Sequence, residues 1–88
     1  MAVVTIDGRR AAARVYDISA NGARIGRIPD AQTGALCKME LPGYGTVIAT
    51  IVRVAGDRFA VTFPPDPALR EYMDDPEAVF ERLRAVSA

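Results

Sequence analysis

Apolar and polar residues alternate along the first two-thirds of the chain, and a period of two is typical of half-buried β-strands. Residues 35–41 show the alternation most clearly, because every second residue is apolar and the charged residues Lys38 and Glu40 lie between. Farther along, the same period places Phe59, Val61 and Phe63 on one face of a strand, where we expect them to be core residues. The alternation therefore predicts strands with one buried face and one face in solvent.

Turn residues divide this alternating part of the chain into short segments. Asp7-Gly8 is a hairpin signal, and Gly56-Asp57 is a second turn. The predicted strands are residues 3–6, 9–18, 23–28, 35–41, 46–54 and a last strand through 59–63. Because a closed sheet has no exposed edge, six short strands at this spacing favour a six-stranded antiparallel β-barrel. The expected fold class is mainly β.

The period changes to that of a helix after the proline-rich segment 64–67, since proline cannot donate to a sheet. A short helical turn is predicted around residues 69–73, and Asp75 followed by Pro76 is typical of a helix start. Four apolar residues then form a stripe that we expect to pack against the barrel: Val79, Phe80, Leu83 and Val86. The prediction is a single domain, with a barrel over residues 1–65 and a C-terminal helical segment over residues 66–88.

Length and composition limit the class of protein. The chain has 88 residues, which is the size of one small domain with a thin core. No apolar run of about twenty residues is present, so no membrane span is expected, and residues 1–5 do not resemble a secretory signal. The single cysteine, Cys37, cannot form an internal disulfide and is expected as a small buried apolar residue. These features favour a cytoplasmic location.

Charge is distributed unevenly, although the formal net charge is zero. Residues 1–27 contain five arginines and two aspartates, a balance of +3, whereas residues 64–88 contain six acids and three arginines, a balance of −3. Arginine forks match phosphate oxygens and guanine edges, and an acidic segment can steer a basic protein partner. A GC-rich codon bias is an alternative explanation for the excess of arginine over lysine, but it does not explain the clustering.

The residues of common catalytic sites are missing from the sequence. There is no histidine, which excludes Ser-His-Asp and Cys-His arrangements, and no cluster has the spacing of metal ligands. No glycine-rich phosphate loop opens a helix. We therefore expect no enzyme, no metal and no cofactor. Nucleic-acid binding is a minor alternative, because it needs exposed aromatic residues for base stacking and the sequence offers only Tyr16 and Tyr44 as candidates.

Two segments resemble the motifs of one family. The first is the D-x-S-x-x-G sequence formed by Asp17, Ser19 and Gly22. The second is residues 51–63, an arginine-bearing strand followed by a turn and a closing strand that ends in phenylalanine. The resemblance, which is to the PilZ domain family, covers residues 3–65. It implies a six-stranded barrel in a bacterial signalling protein and, in many members, binding of cyclic di-GMP.

The resemblance also implies which side chains would bind this ligand. Two guanines and two phosphates suit arginine forks, an aspartate can accept from guanine N–H groups, a serine hydroxyl can reach a phosphate, and a glycine permits close approach. The family carries an R-x-x-x-R pair before its first barrel strand. In this sequence the corresponding position would precede Met1. Arg10 and Arg14 fit that spacing but lie within the second predicted strand, roughly 13 Å apart. The candidate ligand-binding residues are Arg9, Arg10, Arg14, Asp17, Ser19 and Gly22.

Each of these residues also has a structural interpretation. Arg10 and Arg14 can be solvated side chains on the outer face of a strand. The other three can form a turn, in which Asp17 and Ser19 bond local backbone and Gly22 takes a positive φ. The domain is then either a cyclic di-GMP receptor or a degenerate adaptor that binds another protein without nucleotide. A structural or interaction module independent of cyclic di-GMP is the remaining alternative.

Overall fold

The computed structural model describes residues 1–85, which form a curled antiparallel sheet followed by two short helices. The strands are β1 (Ala2–Ile6), β2 (Arg9–Ala13), β3 (Val15–Ile18), β4 (Gly22–Gly26), β5 (Leu36–Leu41), β6 (Gly45–Ala55) and β7 (Arg58–Thr62). Their order across the sheet is β2-β1-β5-β6-β7-β4-β3, and every neighbouring pair is antiparallel. The predicted mainly β, antiparallel fold is confirmed.

The two edge strands of the sheet are consecutive in the sequence, with only Arg14 between them. The chain therefore passes directly from one edge to the other, which curls the sheet into a half-barrel. At this bend the amide of Gly26 donates to the carbonyl oxygen of Arg14 over 2.7 Å. The pairing of β3 with β4 also shifts between Val15 and Asp17, and such a bulge bends a strand. The predicted strand 9–18 is thus divided in two, which gives seven strands instead of six.

The inward faces of the strands form the core that the alternation predicts. Along β5, burial alternates with exposure from one residue to the next. The predicted inward residues that are buried include Cys37, Met39, Leu41, Phe59, Val61 and Phe63. Full burial of a large apolar side chain contributes about 1.5–3 kcal/mol to folding. No polar or charged side chain is buried among residues 1–85, so the charged side chains lie at the surface, where a ligand can reach them.

Two helices follow the sheet, α1 (Pro67–Tyr72) and α2 (Pro76–Arg84). Each begins with an aspartate cap and a proline in its first turn. Asp66 accepts a hydrogen bond from a first-turn amide at 2.9 Å, and Asp75 accepts one from another at 3.3 Å. The cap predicted at Asp75 is confirmed. Within residues 1–85, neither helix has the length and apolar character needed to cross a membrane.

The apolar stripe of α2 packs into the core. Val79 and Leu83 are buried, Phe80 is half-buried against the core, and α2 contacts β3. Val86, the last residue of the predicted stripe, lies outside the described residues.

Two tyrosines join α1 to the turn between β5 and β6. Tyr44 donates its hydroxyl to Asp66 Oδ2 at 3.0 Å, and the Tyr72 hydroxyl donates to the carbonyl oxygen of Pro42. The two ring centroids lie 5.3 Å apart, which is within the range of aromatic packing. The hydrogen bond to Asp66 raises the pKa of Tyr44, because a carboxylate acceptor favours the protonated phenol. The division into a barrel over residues 1–65 and a helical segment over 66–88 stays a prediction.

Candidate functional site

The D-x-S-x-x-G sequence forms the turn between β3 and β4. The amide of Ser19 donates to the carbonyl oxygen of Gly22 at 2.8 Å, and the amide of Asn21 donates to Ser19 Oγ at 3.2 Å. The carbonyl oxygen of Asn21 in turn accepts from the amide of Phe63 at 2.9 Å, which ties the turn to the end of β7. Ser19 therefore bonds local backbone as predicted, and its hydroxyl hydrogen stays available to a ligand.

Gly22 is required for a reason other than the predicted one. Its φ is not positive, so the backbone does not need glycine for a left-handed conformation. A Cβ at this position would instead lie 2.1 Å from the carbonyl oxygen of Val61 on the neighbouring strand β7. The prediction of a positive φ is therefore wrong. The close approach of the β4 and β7 backbones explains the glycine instead.

Asp17 does not bond local backbone, so the predicted turn role of its side chain is also wrong. Its carboxylate accepts from Nε of Arg24 at 2.6 Å, and a second nitrogen of the same guanidinium contacts the same oxygen. The two residues face each other across the β3–β4 pair. The hydrogen bond to Asp17 and the negative charge of the carboxylate raise the pKa of Arg24. Both side chains are largely exposed, so solvent screens the pair and it remains open to competition from a ligand.

Strand register extends this pair into a row across the outer face of the sheet. Asp17 lies opposite Arg24, Arg24 lies opposite Ala60 on β7, and Ala60 lies opposite Arg53 on β6. The β6–β7 register shifts just before Arg53, which brings that side chain into the row. The small side chain of Ala60 separates the two arginines. A shallow depression of about 290 Å³ results, and its lining residues are Arg24, Arg53, Ala55, Arg58, Phe59 and Ala60.

A tyrosine in the β3 bulge contacts two arginines, one of which, Arg58, also lines this depression. The guanidinium carbon of Arg58 lies 3.8 Å from the ring centroid of Tyr16, and that of Arg14 lies 5.0 Å from it. Both distances are within the range of cation–π attraction. The stack fixes the position of two cations next to Asp17.

The predicted arginines do not all lie on this face. Arg9 contacts Asp30 at 3.8 Å, and Arg10 contacts Glu40 on β5 at 3.2 Å. Both pairs are exposed. Arg14, by contrast, shares the Tyr16 ring with Arg58. The structure thus groups Arg14 with Arg58, while ligand binding by Arg9, Arg10 and Arg14 stays a prediction.

Three arginines of the depression were missed as site residues from the sequence. Arg24 lies two residues after Gly22, the last residue of the D-x-S-x-x-G sequence, and Arg53 and Arg58 fall in the second segment that carried the family resemblance. Their nearness to these motifs was the sequence signal that could have identified them as candidate site residues. The register shift in β6 decides which side chains share the row, and alternation alone does not predict such a shift.

This surface has the groups needed to bind an anion. It offers guanidinium forks, a hydroxyl and an aspartate on a rigid sheet, the groups that recognise phosphates and guanine edges. Within residues 1–85, no group of three or more histidine, cysteine, aspartate or glutamate side chains is arranged to hold a metal ion.

Comparison with known proteins gives a family match and a similar solved structure. The sequence model of the family described as PilZ domain matches residues 1–75. The crystal structure of an uncharacterised protein from Legionella superposes with a TM-score of 0.58 at 15% sequence identity, covering 94% of this chain and 85% of that one. At that identity the likeness shows a shared fold alone. No match is found among the curated proteins that were searched.

Proposed function

The chain belongs to the PilZ domain family, and on that premise we propose that it is a non-catalytic signalling domain of the bacterial cytoplasm that binds cyclic di-GMP. The proposed site is the outer face of β3, β4, β6 and β7. The observation that carries the proposal is the depression in which Arg24, Arg53 and Arg58 surround Ala60, with Asp17 paired to Arg24.

The groups on this face match the ligand one by one. Arginine forks can bond the O6 and N7 atoms of guanine, and they can also bond phosphate oxygens bidentately. The hydroxyl of Ser19 accepts one backbone hydrogen bond and can donate its own hydrogen to a phosphate oxygen. Asp17 can accept from guanine N–H groups once Arg24 turns toward the ligand.

We infer that two arginines of β6 and β7, Arg53 and Arg58, provide the main cationic contacts of this site. Arg53 has no ion pair among residues 1–85. Arg58 has one exposed contact, 3.7 Å from Asp57, and the ring of Tyr16 beneath it. Both guanidinium groups are therefore free to bind an anion without losing a strong partner. Arg14 joins them through the same ring.

A nucleotide-independent adaptor is the second candidate function. The Asp17–Arg24 ion pair favours it, because the pair already satisfies both side chains in the absence of ligand. The acidic surface of the C-terminal segment gives such an adaptor a region that can steer a basic partner. Its exposed carboxylates are Asp66, Glu71, Asp74, Asp75, Glu77 and Glu81.

Calorimetric titration with cyclic di-GMP separates the two candidates. We expect binding by the wild type, with the affinity reduced about tenfold or more in Arg53→Ala and in Arg58→Ala, since each removes a charge-assisted contact. Arg70→Ala on α1 is the matched control, because it removes an exposed arginine outside the depression. Arg9→Ala and Arg10→Ala test the remaining sequence predictions.

Absence of heat at protein concentrations of roughly 100 μM, well above the Kd of a specific complex, would contradict nucleotide binding and leave the adaptor. A circular dichroism spectrum and a cooperative melting curve of the same sample must show that the protein is folded. Equal loss of affinity in Arg70→Ala and Arg53→Ala would show that overall charge, and not the depression, attracts the nucleotide.

A further inference from the structure

We propose that the outer face of β5 and β6 is a docking surface for an acidic amphipathic helix of a partner protein. Three large apolar side chains, Leu36, Ile48 and Val52, are 63%, 53% and 47% exposed there. They are called the apolar patch below. Met1 is the only other large apolar residue exposed among residues 1–85. Grouped apolar residues in solvent are typical of interaction sites.

Strand register makes the apolar patch continuous. Leu36 lies directly opposite Thr50 in the β5–β6 pair. Ile48 and Val52 lie two residues to either side of Thr50, so both are diagonal neighbours of Leu36 across the strands. Diagonal neighbours are about 7–8 Å apart, which is within reach of long side chains. The three residues therefore form one surface.

Cations without partners border the apolar patch. Lys38 lies opposite Ile48, and Arg53 follows Val52. Neither cation forms an ion pair with residues 1–85. The one carboxylate on β5, Glu40, is held by Arg10 at 3.2 Å. The surface is apolar in its centre and positive at its border, which complements a partner that carries apolar and acidic side chains.

A helix is the element that covers such a surface, because the apolar stripe of a helix packs onto a sheet face. One helix of this type, α2, already packs on the sheet. α2 buries Val79 and Leu83, contacts β3 and keeps Glu77 and Glu81 in solvent. A second copy of the chain fits less well, because its acidic helix α2 has already buried its apolar stripe.

The test is an NMR titration of the full chain with defined peptides. The first peptide, about sixteen residues long, carries leucine at helical spacing and glutamate beside the stripe. Two controls replace its glutamates by lysine or its leucines by serine. We expect the glutamate–leucine peptide to shift the amides of residues 36–38 and 48–53 and to bind more tightly than either control.

Variants of the protein then assign the contact. Leu36→Ser combined with Ile48→Ser should weaken the glutamate–leucine peptide about tenfold or more, because two apolar contacts are lost. Lys38→Glu should also weaken it, and more so at low salt. Arg70→Ala is the control expected to change nothing, and the melting temperature of each variant reports whether it is folded.

Three results would overturn the proposal. The first is no shift of the patch amides at peptide concentrations of about 1 mM, which corresponds to a binding free energy weaker than about 4 kcal/mol. The second is equal binding of the lysine and glutamate peptides. The third is a concentration-dependent shift of the patch amides without peptide, which would identify a second copy as the occupant. The titration contains no nucleotide, so its outcome does not depend on whether cyclic di-GMP binds, although Arg53 belongs to both surfaces.

Discussion

Replacement of Gly22 by alanine tests the close approach of β4 and β7. The new Cβ would lie 2.1 Å from the carbonyl oxygen of Val61, whereas ordinary contact begins at 3.4 Å. Strand β7 would have to move by about 1.3 Å, because the obstacle is backbone and cannot rotate away. A movement of this size also breaks the neighbouring hydrogen bond, in which the Phe63 amide donates to Asn21 at 2.9 Å.

The expected loss of stability follows from these terms. Overpacking costs about 1–3 kcal/mol, a lost backbone hydrogen bond costs about 1 kcal/mol, and alanine recovers about 0.5–1 kcal/mol of backbone entropy. The net destabilisation is about 1–3.5 kcal/mol, which lowers the melting temperature of a domain of this size by about 4–28 °C. Thermal and urea unfolding followed by circular dichroism measure it.

Gly26→Ala is the matched control, because Gly26 lies at the other end of β4. A Cβ there would meet its nearest neighbours, atoms of Arg14, at 3.6 Å, which is ordinary contact. We expect its stability to remain within about 0.5–1 kcal/mol of the wild type. If Gly22→Ala melts within about 3 °C of the wild type, or if both variants lose the same stability, the close-approach explanation is wrong.

Three further predictions concern the caps and the titratable side chains. Asp75→Ala removes the cap of α2 and should cost about 1 kcal/mol in urea unfolding, while Asp75→Asn should cost less; equal loss in both would contradict capping. The pKa of Tyr44 is raised, so this phenol should ionise at higher pH than an ordinary tyrosine, and its stabilising effect is present below the ordinary tyrosine pKa and lost as pH rises through the raised value. Carbon NMR of labelled tyrosine rings should show the midpoint falling in Asp66→Asn, and an unchanged midpoint would refute the role of this hydrogen bond. Burial raises the pKa of the Cys37 thiol, so a disulfide reagent should modify it more slowly in the native than in the denatured protein; equal rates would contradict its burial.

Alternation predicted the buried faces of the strands because it follows directly from the pleat. Cys37, Met39 and Phe59 are buried as expected, and the Asp75 cap was predictable because Asp followed by Pro has a local meaning. These features depend on neighbours a few residues away. They therefore need no knowledge of how distant strands pair.

The remaining features depend on register. The bulge at Tyr16 and the shift before Arg53 move side chains relative to simple alternation, and neither has a local signal in the sequence. The row that joins Arg24 to Arg53 spans residues far apart in the chain, so it becomes visible only in the paired sheet. The need for glycine at position 22 was equally unpredictable, because it arises from the backbone of β7, which is distant in the sequence.

An amide NMR titration of the wild type with cyclic di-GMP tests the central claim most directly. The proposed site predicts shifts at residues 16–24 and 53–60, which contribute the arginines, Asp17 and the Ser19 turn. Those shifts should be lost when Arg53 and Arg58 are both replaced by alanine. An unchanged spectrum in excess nucleotide, or shifts confined to the β1–β2 hairpin of Arg9 and Arg10, would contradict the site.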